Sequence, residues 1–94
     1  MIDEKDIELY LKKEVEKRNG LCLKWVSPGN AGVPDRIVIT MAYTCFVELK
    51  RPGEKPRPLQ QAWIHKLRDR HRKVYVLDSK EAVDRFILEA FPHA

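Results

Sequence analysis

The chain has 94 residues, of which 44% are hydrophobic and 34% charged, and its formal net charge is +4. This length fits one small domain, and the apolar content is enough for one packed core, which excludes a wholly disordered chain. The longest uncharged run, residues 37–47, is too short to span a bilayer as a helix. The acidic, amphipathic N-terminal segment is not typical of a signal peptide, so we expect a cytoplasmic protein with no membrane partner.

Positive charge is concentrated between Lys50 and Lys73. Nine Lys and Arg residues lie in this stretch, against two acidic residues, Glu54 and Asp69. A local excess of this kind suits a polyanionic partner, and nucleic acid fits it better than a membrane surface. The same composition would also be found on a solvated helix face, so charge alone leaves both interpretations open.

The two cysteines do not form a recognisable motif. Cys22 and Cys45 lie in apolar segments and belong to no CxxC pair, which indicates two buried thiols. The three histidines have no ligand spacing, so structural zinc is not expected. Nothing in the sequence indicates an organic cofactor.

The first half of the chain predicts one helix and three strands. Asp3 can cap a helix over residues 3–18, whose apolar residues recur at helical spacing, and Asn19-Gly20 ends it. Alternation predicts a strand over residues 21–26, and dense Gly and Pro predict a loop over residues 27–34. Two further strands, residues 35–40 and 43–50, follow with a short turn between them.

The second half predicts a helix, a strand and a last helix. Residues 51–58 form a basic loop that its prolines keep irregular. A helix over residues 59–71, a short apolar strand over residues 74–77 and a helix from Asp78-Ser79 to about residue 91 come next. The order αβββαβα predicts a single α/β domain over residues 1–94, with a mixed four-stranded sheet flanked by helices on both faces.

Three charged residues fall where the predicted sheet makes charge expensive. Glu48 and Lys50 are two apart on an otherwise apolar strand and therefore share a face. Asp35 begins the preceding strand, and antiparallel pairing brings it beside the end of the strand that carries Glu48. Two carboxylates and an ammonium at one sheet edge are suited to a hard cation such as Mg²⁺. An ion-paired sheet end is the plain structural alternative.

These residues also carry a resemblance. Pro34-Asp35 followed by Glu48-Leu49-Lys50 is similar to the PD-(D/E)XK nuclease motif. The surrounding chain resembles the VRR-NUC family in its short stand-alone form from phages and bacteria, over about residues 3–90. The matching segments are residues 24–29, 32–36, 46–52 and 59–60.

The resemblance implies a restriction-endonuclease-like fold with an αβββαβ core. It implies hydrolysis of DNA phosphodiesters that depends on Mg²⁺ or Mn²⁺. Asp35, Glu48 and the Leu49 carbonyl would ligate the metal ion. Lys50 would orient the attacking water and stabilise negative charge in the transition state.

Related enzymes add a glutamate from the first helix and a glutamine from the helix after the Glu-x-Lys strand. On a helical wheel Glu4 lies closer than Glu8 to the inward stripe, so we expect Glu4 to act in catalysis and to reach the metal through a water, although Glu8 stays open. Gln60 lies near the stripe of its own helix, whereas Gln61 points away, so Gln60 is the expected catalytic glutamine. The plain alternative for Glu4 is a first-turn acid that interacts favourably with the helix dipole. The plain alternative for Gln60 is a surface amide.

Residues near Asp35 and Lys50 are candidates for contact with backbone phosphates. Free amides in the loop before Asp35, and the basic residues around both loops, suit an anion. These candidates are Lys24, Ser27, Gly29, Asn30, Arg36, Arg51, Lys55 and Arg57. Ordinary surface charge is the alternative for each.

The leading hypothesis is therefore a metal-dependent endonuclease. No separate DNA-reading domain is visible, so selectivity for branched DNA is more natural than base-specific reading. The resemblance implies the more specific activity, because stand-alone members of the family are similar to Holliday-junction resolvases, which act as dimers. A four-way junction needs two symmetric nicks, which a homodimer supplies. A nickase or endonuclease acting on linear or flapped duplex is the alternative enzyme. A non-catalytic nucleic-acid-binding module is the alternative class, and the presence of Asp35, Glu48 and Lys50 together counts against it.

Overall fold

The computed structural model describes residues 1–93, which form three helices and four strands in the predicted order αβββαβα. The helices are α1 (Glu4–Glu16), α2 (Pro58–Asp69) and α3 (Lys80–Ala90), and the strands are β1 (Leu21–Lys24), β2 (Arg36–Ile39), β3 (Thr44–Leu49) and β4 (Val74–Leu77). Every predicted element is present. Most are one or two residues shorter than predicted.

The ends of α1 follow from the side chains at each terminus. Asp3 accepts a hydrogen bond of 3.0 Å from the Asp6 main-chain N–H, and the Asp6 carboxylate accepts one of 3.0 Å from the Asp3 N–H. This reciprocal cap satisfies two N–H groups that would otherwise lack partners. At the other end Asn19 has φ of 62°, which reverses the chain and leads directly into β1.

The sheet has the order β1-β2-β3-β4. β1, β2 and β3 are antiparallel neighbours, and β4 pairs with β3 in parallel after the crossover through α2. Arg36 lies opposite Val47, so continuing the register by one residue sets Asp35 opposite Glu48. The register thus brings the two predicted carboxylates to the same end of the sheet and the same face.

The main core lies between one face of the sheet and helices α1 and α3. Ile7, Leu11 and Val15 of α1 are fully buried and pack in one cluster with the apolar face of α3. Cys22 and Cys45 belong to this cluster as free thiols, as their apolar surroundings predicted. Within residues 1–93, no helix combines the length and apolar character needed to cross a membrane.

The opposite face of the sheet is covered only in part. Helix α2 packs mainly on β4, and Ile64 is its one residue that is buried among those described. Leu59, at the start of α2, is 55% exposed. On β1, Leu21 and Leu23 are 52% and 45% exposed. The sheet therefore has helices on both faces, as predicted, but β1 and β2 keep an apolar face open to solvent.

Candidate active site

Asp35 is fixed by hydrogen bonds to strands on both sides. It directly precedes β2, and its main-chain carbonyl accepts a hydrogen bond of 2.9 Å from the Trp25 N–H. Its carboxylate oxygen Oδ2 accepts one of 2.8 Å from the Leu49 N–H at the end of β3. Burial raises the pKa of the Asp35 carboxyl, and the Leu49 hydrogen bond opposes that shift. Asp35 is thereby held beside Glu48.

Glu48 is a buried carboxylate without hydrogen-bond donors. It is 1% exposed, and within the described residues neither of its side-chain oxygens has a hydrogen-bond partner. Burial, and then the charge of Asp35, raise the pKa of Glu48 to about 7. A buried carboxylate in this state is costly unless a cation or a proton accompanies it.

Lys50 supplies one positive charge to this site. It is 4% exposed, and its main-chain N–H donates to the Leu77 carbonyl of β4 at 3.0 Å. Its Nζ atom lies 3.7 Å from Oε2 of Glu48 and 3.8 Å from Oε1 of Glu54. The ammonium is thus close to two carboxylates at the end of β3.

The residues around Glu48 fit a hard divalent cation. The Lys50 N–H bonds toward β4, so strand alternation turns the main chain of Leu49 toward the β2 side, where Asp35 lies. Two carboxylates and one carbonyl on that side offer the oxygen ligands that Mg²⁺ and Mn²⁺ take, with water and substrate completing the shell. Residues 1–93 contain no cluster of three or more His, Cys, Asp or Glu side chains arranged to hold a metal ion. The fit therefore rests on a two-carboxylate site.

The structure separates the two glutamates of α1 by their partners. Oε2 of Glu8 accepts a hydrogen bond of 2.7 Å from Nε of Arg36, so this carboxylate is already paired. Glu4 is half-buried, and no side-chain hydrogen bond or ion pair of Glu4 is present within residues 1–93. Burial, and then the charge of Asp35, raise the pKa of Glu4, while Lys50 opposes the shift. Glu4 is the α1 carboxylate left available to the site.

The placement of Arg36 does not match its predicted contact with DNA phosphate. Arg36 is 8% exposed and faces α1, and besides Glu8 it donates from Nη1 to the Cys22 carbonyl at 3.2 Å. Consecutive strand residues point to opposite faces, so an inward Arg36 follows from Asp35 pointing to the site. We therefore remove Arg36 from the candidate DNA-binding residues.

Gln60 lies in the first turn of α2, where its amide has a local structural partner. Oε1 of Gln60 accepts a hydrogen bond of 2.9 Å from the Arg57 N–H, which caps the helix. Nε2 of the neighbouring Gln61 donates to the Pro56 carbonyl at 2.8 Å. No described hydrogen bond joins Gln60 to Asp35, Glu48 or Lys50. Its predicted catalytic role would require the amide to leave this cap.

Two Pro-Gly turns flank the site in the chain, within the segments that the sequence predicts as loops. The Asn30 N–H donates to the Ser27 carbonyl at 3.0 Å, and the Glu54 N–H donates to the Arg51 carbonyl at 2.9 Å. The glycine third in each turn, residues 29 and 53, has φ of 80° and 81°. Pro second and Gly third are the signature of a type II turn, which could have predicted both pairings.

The remaining candidate DNA-binding residues lie at the surface of these loops or beside them. Lys24, Gly29, Asn30, Arg51, Lys55 and Arg57 are exposed, and Ser27 is half-buried. Nδ2 of Asn30 donates to the Ser27 hydroxyl at 3.0 Å, so these two side chains are held together. The structure keeps this group at the surface, in segments that lead into Asp35 and out of Lys50.

The comparisons with known proteins agree with this architecture. The family model for the VRR-NUC domain matches residues 3–81. A protein named "Putative nuclease p44", from Acyrthosiphon pisum secondary endosymbiont phage 1, is 45% identical over 82 residues, which cover 86% of this chain and 88% of that protein. A solved structure described as a VRR_NUC domain superposes with a TM-score of 0.83 at 32% identity, over 89% of this chain and 92% of the other. The chain belongs to the VRR-NUC family of nuclease domains.

Proposed function

We propose that this protein is a metal-dependent endonuclease that hydrolyses DNA phosphodiesters in an active site formed by Asp35, Glu48 and Lys50. The observation that carries the proposal is the buried Glu48 carboxylate, whose oxygens have no hydrogen-bond partner in the described chain and which lies 3.7 Å from the Lys50 ammonium. A side chain of this kind is costly to the fold, and a bound cation accounts for it. The phage relative named as a nuclease supports the same activity.

Each residue has a distinct role in this proposal. Asp35, Glu48 and the Leu49 carbonyl would hold Mg²⁺ or Mn²⁺, with Glu4 reaching the ion through water. When bound, the ion would supply Lewis-acid polarisation of the phosphate and a lowered pKa for an attacking water. Lys50 would orient that water and place positive charge beside the phosphate oxygens, where negative charge develops.

The proposed substrate is branched DNA. Basic and polar groups on the two turns would contact the backbone, and such contacts position a duplex without reading its bases. The candidate residues are Lys24, Ser27, Gly29, Asn30, Arg51, Lys55 and Arg57. Selectivity for DNA shape is the kind of selectivity that backbone contacts allow.

We further propose that two copies associate through the open sheet face. Leu21 and Leu23 lie opposite Ile39 and Ile37 in the β1–β2 register, and strand alternation places all four on the face away from α1. These four side chains are uncharged, and Asp35 and Glu48 lie further along the same face, at its end. The apolar patch is therefore a poor contact for a polyanion and a good contact for an identical apolar patch. A small domain gains core by such pairing, and a two-fold dimer offers two sites to a four-way junction.

The activity is tested by incubating purified protein with a labelled four-way junction and a matched linear duplex, with Mg²⁺, with Mn²⁺ and with EDTA. We expect paired, symmetric nicks in the junction that require the metal. Equal cutting of both substrates would support the nuclease activity but contradict the preference for junctions, and would favour an enzyme that acts on linear duplex. Binding without cleavage under any metal would contradict the nuclease and favour the binding module.

The dimer is tested by measuring mass in solution for wild type, Leu23→Glu and Leu88→Glu. Leu88 lies on α3 and is 76% exposed, so it is a control for adding a charge to an exposed leucine. We expect wild type and Leu88→Glu to be dimers and Leu23→Glu to be a monomer. A monomeric wild type, or a dimeric Leu23→Glu, would contradict the proposed interface.

A further inference from the structure

The turn that follows Lys50 sets a carboxylate against two cations. Arg51-Pro52-Gly53-Glu54 closes through the Glu54 N–H and the Arg51 carbonyl at 2.9 Å, with Gly53 at φ of 81°. Proline and glycine favour this turn before any side chain contact forms. The turn returns Glu54 to the end of β3, next to the buried Lys50.

The Glu54 carboxylate bridges those cations with its two oxygens. Oε1 lies 3.8 Å from Nζ of Lys50. Oε2 accepts hydrogen bonds from Nε and Nη2 of Arg51 at 3.1 and 2.8 Å. The hydrogen bonds from Arg51 lower the pKa of Glu54, so this carboxylate is charged at neutral pH. Glu54 is the acidic residue of an otherwise basic loop, and its carboxylate pairs with the two cations nearest the site, Lys50 and Arg51.

The two cations differ in what they can do next. Lys50 is 4% exposed and has Glu48 and Glu54 as its carboxylate neighbours, whereas the Arg51 side chain is 63% exposed. A phosphate that approaches the site can therefore reach Arg51 but must compete with Glu54 for its guanidinium. Lys50 keeps Glu54 as its second carboxylate neighbour beside Glu48.

We propose that Glu54 is a positioning residue that holds the Lys50 ammonium in place for catalysis and restrains Arg51 until a DNA phosphate displaces it. This inference rests on the proposed nuclease function. It predicts effects of opposite sign when Glu54 is neutralised. DNA binding strengthens, because Arg51 is released and a negative charge is removed beside the phosphate. Cleavage slows, because Lys50 loses one of its two restraints.

The test compares Glu54→Gln and Glu54→Asp with wild type and with Glu81→Gln. Glu81 is exposed in the first turn of α3, so its replacement removes the same charge away from the site. DNA affinity is measured by anisotropy in EDTA over a range of salt concentrations, and cleavage is measured as a single-turnover rate at saturating protein. Thermal unfolding checks that each variant is folded.

We expect Glu54→Gln to bind DNA several-fold more tightly than Glu81→Gln. Its plot of log affinity against log salt concentration should be steeper by about one, because about one more counterion is released. We expect its cleavage step to slow by about tenfold, the scale of a misplaced charge contact and below the full loss of Lys50. Glu54→Asp keeps the charge and should retain wild-type affinity and regain part of the rate.

Three results would overturn the inference. One is equal affinity and equal rate for Glu54→Gln and Glu81→Gln. Another is a joint loss of affinity and rate in Glu54→Gln, which is the signature of a damaged loop. The third is slow cleavage with unchanged affinity, which would show that Glu54 does not restrain Arg51. If wild type cleaves no DNA, the proposed function fails instead, and the affinity measurements in EDTA still decide whether Glu54 restrains Arg51.

Discussion

Nε of Arg36 donates a hydrogen bond of 2.7 Å to Oε2 of Glu8, on the face of the sheet opposite the one that Asp35 faces. Asp35 and Arg36 are neighbours in sequence but have different roles. Asp35 contributes a carboxylate to the candidate active site, and Arg36 links α1 to the sheet through its ion pair. The pair also commits Glu8 to the fold, which leaves Glu4 for the site.

Replacing Arg36 should therefore affect stability far more than DNA contact. Arg36→Ala leaves the Glu8 carboxylate partly buried and unpaired, and we expect a loss of about 3 kcal/mol of unfolding free energy. Arg57→Ala, at an exposed loop position, should leave stability within about 0.5 kcal/mol of wild type and weaken DNA binding. Urea unfolding and anisotropy on both variants check this contrast. Wild-type stability in Arg36→Ala would show that the pair does not support α1.

The raised pKa of Glu48 predicts a specific dependence of stability on pH. Below about pH 4.5 Glu48 is protonated in both the folded and the unfolded chain, so it carries no penalty. Between 4.5 and about 7 the unfolded chain ionises first, and stability falls as pH rises. Glu48→Gln removes this penalty, so at pH 8 we expect the variant to be more stable by about 1–3 kcal/mol.

Thermal unfolding from pH 4 to pH 8 measures this difference, with Glu81→Gln as the control for loss of one negative charge. Mg²⁺ or Mn²⁺ at pH 8 should raise the melting temperature of wild type and not that of Glu48→Gln, because the ion would compensate the buried charge. A gap between wild type and Glu48→Gln that does not change with pH would contradict the assigned pKa.

Gly20 is required for a steric reason that its sequence context did not reveal. A Cβ at this position would lie 2.8 Å from Cζ of Phe91 and 2.8 Å from Cγ1 of Val15. We expect Gly20→Ala to destabilise the fold by about 1–3 kcal/mol, because α1 and the chain after α3 must move apart. Gly29→Ala is a useful comparison, since its Cβ meets no atom within 4 Å and only its φ of 80° is unfavourable. Equal melting temperatures for Gly20→Ala and wild type would refute the tight contact.

The two cysteines should be unreactive in the folded protein. Burial raises the pKa of Cys22 to about 11 and that of Cys45 to about 12, and the thiolate is the reactive form. We expect no labelling by a thiol reagent at pH 8 on the timescale of minutes, and labelling of both thiols in denaturant. Fast labelling of the native chain would mean that the core opens readily around β1 or β3.

Much of the fold was predictable because the sequence repeats its signals at several levels. Three signals agree in the first part of the chain: the apolar stripe of α1, the stop at Asn19-Gly20 and the alternation of the strand that follows. Strand β4 was predicted over the residues that it occupies. The approach of Asp35 to Glu48 was predictable too, because a short turn between two antiparallel strands leaves little freedom of register.

Side-chain partners across the fold were harder to predict. The pairing of Arg36 with Glu8 depends on how α1 lies on the sheet, which helical periodicity does not define. The position of α2 over β4, with Ile64 buried and Leu59 exposed, depends on the crossover loop. Gln60 was placed correctly in the first turn of α2, but its bond to the Arg57 N–H was not foreseen.

The most direct test of the proposed catalytic centre is the single-turnover cleavage rate of Asp35→Asn on a four-way junction with Mg²⁺ or Mn²⁺, beside wild type and Lys50→Ala. The account predicts a loss on the order of 10³-fold for Asp35→Asn and at least about 10²-fold for Lys50→Ala, with DNA affinity in EDTA close to that of wild type. Asparagine keeps an oxygen for the Leu49 N–H and removes only the charge, so the fold is preserved. Cleavage by Asp35→Asn at the wild-type rate would contradict the assignment of this site.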